Sequence, residues 1–302
     1  MKESISKRIW QCFQKQAQFT LKEAYKTLSD IPQESIRARI YENLGIRFDK
    51  IARGIYCVKD GTASCVVLEG DGRDLSIFED SSIDCIITDH PWLDEKSNKG
   101  GNRAFAEYNC FQYTKRDFLE KMRVLKEGCF LVEVIPEENS NNYQYLYELK
   151  QMAEEVGLQY YSKVPWKKGC FVSNTGRKAK NMQDIMIFSK GKARAMRFDK
   201  KKSMQAETEC YMSGTNGMLP AYFDVEPVKK AQRIHQSELP CNLIEQIIEF
   251  LTLPGEIILD QFAGSGVVGE AALKTNRNCI LIEQVTEIVD RIQDRFEYTE
   301  AV

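Results

Sequence analysis

Apolar and polar positions along the first sixty residues repeat at helical spacing and then alternate. Residues 5–17 and 21–29 carry apolar side chains three and four apart, and Thr20 stands where an N-cap belongs before LKEAYKTL. A turn through Pro32 leads to a third helix, QESIRARIYENLG, with Ile36, Ile40 and Leu44 on one face and Gly45 as its stop. IRFDKIARGIYCV then reads as a β-hairpin turning between Lys50 and Gly54.

From residue 61 the rhythm changes to apolar runs alternating with amphipathic segments, which predicts an α/β sheet. The strands are SCVVLEGD, DCIITDHPW, GCFLVEVIP, DIMIFSKG, EIILDQFAGSG and NCILIE; the helices are RDFLEKMRVL, YLYELKQMAEEVG, PCNLIEQIIEFL, VVGEAALKTN and VTEIVDRIQDRFE. Between about 193 and 232 no periodicity is visible, and a stretch of that length inside a compact enzyme is usually functional. The expected organisation is a small, mainly helical, winged-helix-like module over 1–60 followed by a doubly wound, Rossmann-like α/β domain over 61–302.

Composition narrows the possibilities. Hydrophobic residues make up 43% of the 302, which supports a packed core. No run of about 18 apolar residues is present, and the N-terminus lacks the apolar stretch of a secretory signal, so neither a membrane nor a secreted location is expected. The ten cysteines form no CxxC pair and several sit inside strand-like runs, so they read as reduced core residues of a cytoplasmic protein. With two histidines, no structural metal site is expected.

Charge is unevenly placed. Residues 1–60 carry a net +5 and residues 163–202 a net +11, so the rest must carry −18 to reach the overall −2. Two basic islands on an acidic body suggest a polyanionic partner, with lysines solvated on loops as the plainer alternative. In a winged helix the third helix, with Arg37 and Arg39, would enter a major groove, and the hairpin, with Lys50 and Arg53, would touch phosphates. A helical docking or dimerisation domain is the other reading of 1–60.

Two motifs carry the chemistry. In Asp260-Gln261-Phe262-Ala263-Gly264-Ser265-Gly266 a strand ends in a carboxylate and small residues lead straight into a helix, which lets a ligand approach the backbone closely. Nineteen residues after Gly264 the next strand ends in Glu283, at a spacing that suits a carboxylate on a ribose. Gly264, Gly266 and Gly269 also satisfy a dinucleotide fingerprint, but a nicotinamide enzyme usually carries that unit near its N-terminus. The second motif is Asp89-His90-Pro91-Trp92, with a carboxylate to accept from an exocyclic amine and an indole to stack on a flat base; a strand-ending turn with a buried Trp is its plain alternative.

Together and in this order the motifs resemble those of amino-methylating DNA methyltransferases of the permuted, β-class arrangement. Asp89-His90-Pro91-Trp92 resembles the family's D-P-P-aromatic catalytic motif, and Asp260 to Gly266 resembles its F-x-G-x-G cofactor motif. Gly70-Asp71, RVLKEGCFLVEV, VPWKKG, DIMIFSKGK and RIHQSELPCNLIEQII also resemble family segments, so the likeness spans about 64–290. The chain departs from the pattern at His90, where the family has its first proline, at Leu239, where it has lysine, and at Gln261.

The resemblance implies S-adenosylmethionine as cofactor, held across Asp260, Phe262, Ala263, Gly264, Ser265 and Gly266, with Glu283 on its ribose, Asp71 near its adenine, and Asp89 and His235 nearby. It implies methylation of adenine N6 in duplex DNA, the base flipped out, with Asp89 and the His90 carbonyl on the amine, Pro91 shaping the turn and Trp92 stacking. Lys167, Lys168, Arg177, Lys178 and Lys180 would hold phosphates, 193–232 would take part in target recognition, and a homodimer and a cognate restriction enzyme are candidate partners in a bacterial or phage-type cell. Cytosine N4 and RNA adenine are the alternative substrates; a catalytically silent DNA-binding regulator and a nicotinamide dehydrogenase are the alternatives from other classes.

Overall fold

A computed structural model describes residues 4–14, 19–44, 47–58, 63–92, 110–169, 182–203, 210–233 and 237–299. The N-terminal part runs α1 (Ile5–Phe13), β1 (Phe19–Thr20), α2 (Leu21–Thr27), α3 (Gln33–Glu42), β2 (Phe48–Ala52) and β3 (Ile55–Val58). Thr20 caps α2, and Glu23 returns the bond to the Thr20 N–H, a reciprocal pair that satisfies two otherwise orphaned donors. The three strands form an antiparallel sheet in the order β1-β3-β2, against which Ile9, Phe13, Ala24, Ile36 and Ile40 bury a separate apolar core. Leu44, expected on the buried face of the third helix, lies beyond α3 and is only partly covered.

The remaining chain builds an eight-stranded sheet. Its elements are β4 (Cys65–Glu69), β5 (Ile83–Thr88), α4 (Lys115–Val124), β6 (Leu125–Pro136), α5 (Tyr143–Glu155), β7 (Leu158–Lys167), β8 (Met182–Lys190), β9 (Ala195–Ser203), β10 (Cys210–Ser213), β11 (Phe223–Asp224), α6 (Cys241–Leu251), β12 (Ile257–Asp260), α7 (Val267–Lys274), β13 (Asn278–Glu283) and α8 (Thr286–Thr299). Strand order is β11-β7-β8-β6-β5-β12-β13-β4, parallel except that β8 runs against both neighbours.

The apolar runs are continuous because both faces of the sheet are covered. Phe130, Val132 and Val134 of β6 and Cys279 and Leu281 of β13 point into one core with α6 and α7; Cys129, Leu131, Ile280 and Ile282 point into the other with α4 and α5. β5 and β12, more than 160 residues apart in the chain, lie side by side with Ile86 opposite Leu259. From them the chain winds outward in opposite directions, so their carboxyl ends flank the crevice where doubly wound sheets bind ligands.

Two departures from the sequence expectation stand out. The stretch near 193–232, which shows no periodicity, contains the β9–β10 hairpin, whose register shifts at three places; a ribbon so interrupted and lying off the main sheet leaves no regular alternation to read. The N-terminal hairpin is not a free wing. Arg53 donates its N–H to the Ile77 carbonyl at 3.0 Å, Lys50 pairs with Glu79, and Cys57 packs into the α4–α5 side of the large core. Among the described residues no helix is long and apolar enough to cross a membrane.

Candidate active site

Four neighbouring parallel strands, β5, β12, β13 and β4, release their loops at one edge of the sheet, and all the described residues of both motifs lie there. Parallel pairing dictates this, since each strand that ends in an acidic residue ends on the same side. Asp260 closes β12 at 3% exposure and accepts the Phe262 N–H at 3.1 Å. Burial pushes its carboxyl up to about 7, and the neighbouring Asp89 and Glu283 add to the rise. Asp89, the first residue after β5, is half-buried; desolvation pushes it also up to about 7, Glu133 adding to the rise while Lys168 opposes it.

The loop between Asp260 and α7 is held by main-chain bonds. Glu283 accepts from the Gly264 N–H at 3.0 Å with one oxygen and from Gln284 and Val285 with the other. Ala263 donates to the Ile282 carbonyl, and Gly70 to that of Glu283. Thus the carboxylate expected on a ribose is first the anchor of the glycine loop, fixed at the mouth with about one acceptor site to spare. Gly266 adopts φ +75°, and a Cβ there would come within 2.8 Å of Ile292. Gly72 is demanded by proximity, since a Cβ on it would stand 1.8 Å from the Gln261 carbonyl oxygen, and Gln261 donates to the Gly72 carbonyl at 2.6 Å. Ser265 is buried behind the same loop.

Aromatic rings line one side. Phe262 packs on Phe111, their centroids 5.4 Å apart, and the Arg73 guanidinium lies over Phe111 at 4.9 Å. Arg73 also grips Asp71 through both carboxylate oxygens and holds its pKa below the usual range. Trp92 rests its indole on the His90 imidazole, 3.9 Å between centroids, and edge-on against Tyr145. His90 is 1% exposed, and burial pushes its pKa down, leaving a neutral ring at neutral pH. Among the described residues five buried side-chain polar atoms have no hydrogen-bond partner, and four of them, on Thr88, His90, Trp92 and Gln261, belong to these two loops.

The basic residues divide. Arg37 and Arg39 are exposed on α3, Arg37 over the Tyr41 ring and Arg39 beside Glu42. Lys50, expected on phosphates, pairs within the protein with Glu79. Arg53 is exposed at the hairpin tip. Lys163 and Lys167 pair with Asp184 and Asp224, so part of the second island is neutralised internally. Lys168, also expected on a phosphate, is half-buried over the Trp166 ring at 4.7 Å and close enough to Asp89 to act on its charge. Leu239 is buried in the core beneath α6. Arg177, Lys178, Lys180 and His235 lie outside the described residues.

Residue patterns overlooked a second tier below the Asp89–Trp92 loop, made of Tyr113, Lys121, Glu133 and Tyr145. An acid inside the apolar run FLVEVI was the available signal for Glu133. Lys121 sits three residues from Phe118 on the buried stripe of α4, where a core apolar residue is the norm.

Comparison with known proteins agrees with this architecture. A family model described as DNA methylase matches residues 83–294. The type II methyltransferase M.HpaI of Haemophilus parainfluenzae is 25% identical over 233 residues, 74% of this chain and 71% of its own length. Among solved structures, an M1.HpyAVI–SAM complex superposes with a TM-score of 0.54 at 18% identity, covering 77% of this chain and 98% of that one. The cytosine-N4-specific PvuII DNA methyltransferase gives 0.56 at 18% identity, covering 78% and 87%.

The buried carboxyl of Asp260 yields a stability prediction. Its folded pKa lies above its unfolded value, so the folded state binds the extra proton and loses stability as pH rises from about 4 to about 7. Asp260→Asn keeps the acceptor for Phe262 and removes that penalty. The ligand-free variant should melt higher than the parent at pH 8, by at least about 1 kcal/mol against a ceiling of about 4 kcal/mol, and converge with it near pH 4. Calorimetric melting across that range checks the slope.

Proposed function

The chain belongs to this DNA methylase family, and from that premise we propose that it methylates the N6 amine of adenine in duplex DNA with S-adenosylmethionine as donor. The observation that carries the reading is the meeting of Asp89 and Asp260 at the carboxyl ends of adjacent parallel strands, beside a glycine loop and a ring-backed indole.

The residues present fit the donor. It bears a positive charge, and the crevice gathers Asp89, Asp260 and Glu283, two of them pushed towards neutrality by burial. Asp260, Phe262, Ala263, Gly264, Ser265, Gly266 and Glu283 would hold it, with Asp71 at the rim. When bound, S-adenosylmethionine supplies an electrophilic methyl group on a cationic sulfur.

The chain's own part is to prepare the amine. The lone pair of an exocyclic amine is delocalised into the base and is poorly nucleophilic. Asp89 and the main-chain carbonyl of His90 accept its two N–H bonds, drawing the nitrogen towards a tetrahedral shape with its lone pair free. Trp92, backed by His90, stacks on the flipped base and offsets part of the few kcal/mol that flipping costs. The displacement is in-line, so positioning supplies most of the rate. As the methyl group adds, the amine proton becomes acidic and passes to Asp89, whose raised pKa suits uptake and release near neutrality. A carboxylate at this position, where cytosine-N4 enzymes more often carry serine, supports adenine over cytosine.

DNA is held, in this reading, by the exposed face of α3 with Arg37 and Arg39 and by basic residues of the second island, the N-terminal module serving as a winged-helix contact. Phosphate contacts of this kind set register without reading sequence. Homodimerisation and a cognate restriction enzyme remain within the same proposal.

Labelled methyl transfer to genomic DNA free of adenine methylation, followed by nucleoside analysis, tests the reaction. N6-methyladenine that disappears in Asp89→Ala is expected; N4-methylcytosine, or label on RNA alone, would replace the substrate. The Arg37→Ala/Arg39→Ala double variant should bind all DNA sequences more weakly and reduce the slope of log affinity against log salt by about 1 to 2. An unchanged slope would remove α3 from the interface.

A further inference from the structure

Lys121 on α4 and Glu133 on β6 are both 0% exposed and bonded to each other. Glu133 stands opposite Thr88 in the β5–β6 register, one strand away from the start of the catalytic loop. Its second oxygen faces His90 Nδ1 at 3.7 Å and the Tyr113 hydroxyl at 3.4 Å. The far side of the imidazole is fixed by the Tyr145 hydroxyl, 3.2 Å from Nε2, and that hydroxyl accepts the Tyr113 N–H at 2.9 Å. The His90 ring lies between Trp92 and Tyr113, with centroids 3.9 and 4.1 Å away, and the Lys121 ammonium lies over Tyr113 at 3.7 Å.

We propose that Lys121 and Glu133 are positioning residues for methyl transfer, acting through His90 to fix the indole of Trp92 and the acceptors on the exocyclic amine. The inference rests on the methyltransferase reading above.

A fully buried ion pair is a poor device for stability. Desolvation offsets its Coulomb energy, and apolar residues of similar volume usually serve as well or better. What such a pair supplies is direction. Here the direction is towards the imidazole on which the Trp92 indole rests. Burial pushes the Glu133 carboxyl up, but the Lys121 ammonium bonded to it is the chief opposing group and the carboxyl ends below its usual range, an acceptor aimed at the imidazole. The 3.7 Å gap leaves His90 Nδ1 unpartnered, about 0.7 Å beyond hydrogen-bond length, so a small inward movement of the loop completes the tether. A proline at position 90 would fix the backbone through its ring; this chain fixes the same position through a side chain reaching two further elements.

Two double variants of the full chain test the proposal. Lys121→Met/Glu133→Met removes all polarity, whereas Lys121→Met/Glu133→Gln keeps an uncharged acceptor for His90. Both should melt at or above the parent temperature and bind S-adenosylmethionine within about twofold of parent. In single-turnover methyl transfer to unmethylated genomic DNA the first should lose at least about tenfold in rate, and the second should stay within about threefold of parent. Parental rates in both, equal losses in both, or a loss confined to cofactor affinity would overturn the proposal. Should the apolar pair not fold, His90→Phe decides: it keeps a ring between Trp92 and Tyr113 but cuts the tether, so the same tenfold loss supports the proposal and a parental rate defeats it. A parent chain that transfers no methyl group would instead count against the methyltransferase reading.

Discussion

Two carboxyl groups at the ends of adjacent parallel strands, Asp260 buried and Asp89 half-buried, govern this molecule. Asp89 and Asp260 end adjacent parallel strands, and burial drives both towards neutrality. Such a pair is costly to keep, and the surrounding structure is arranged around keeping it. The Phe262 N–H supports Asp260, and the Glu283 anchor holds the glycine loop in place. Gly72 and Gln261 clasp the loops that follow β4 and β12. A cation in the crevice would favour the charged carboxylates and lower the cost of holding them there.

Much of this was legible in the chain because parallel sheets write themselves plainly. Strands buried on both faces appear as unbroken apolar runs, and the acidic residues that end β12 and β13 or follow β5 fall on one edge once the strands are parallel. Asp89 and Asp260 could therefore be placed before their distance in the fold was known. Pairing partners were not legible. Lys50 and Lys167 look like free cations in sequence, yet Glu79 and Asp224 meet them from 29 and 57 residues away. The β9–β10 hairpin was hidden by its shifted register, and β7 by a burial pattern that alternates only in part. The Lys121–Glu133 pair escaped because a charged residue on an amphipathic helix is ordinarily read as facing solvent.

The N-terminal module is more than an appendage. Its hairpin tip bonds to Ile77 and pairs with Glu79, in the loop that begins with Asp71 and Gly72 at the rim of the proposed cofactor crevice. Arg123 braces that loop from the other side, donating to the carbonyls of Leu75 and Phe78. One short segment thus touches the proposed DNA-binding module at one end and the glycine loop at the other. Where the family's pattern is broken, the fold compensates locally: His90 gains a polar tether in place of a ring, and Leu239 is absorbed into the core.

The central claim is that these buried carboxyls are held for a positive charge. Calorimetric affinities for S-adenosylmethionine, whose sulfur is cationic, and for S-adenosylhomocysteine, whose sulfur is neutral, measured from pH 5.5 to 8.5, test it most directly. Carboxyls with pKa values of about 7 lose their charge below that pH, so the preference for the cationic ligand should rise with pH and level off above about 7.5. A preference that stays flat across the range would mean that Asp89 and Asp260 do not serve the charge of the donor, and the account built on them would fail.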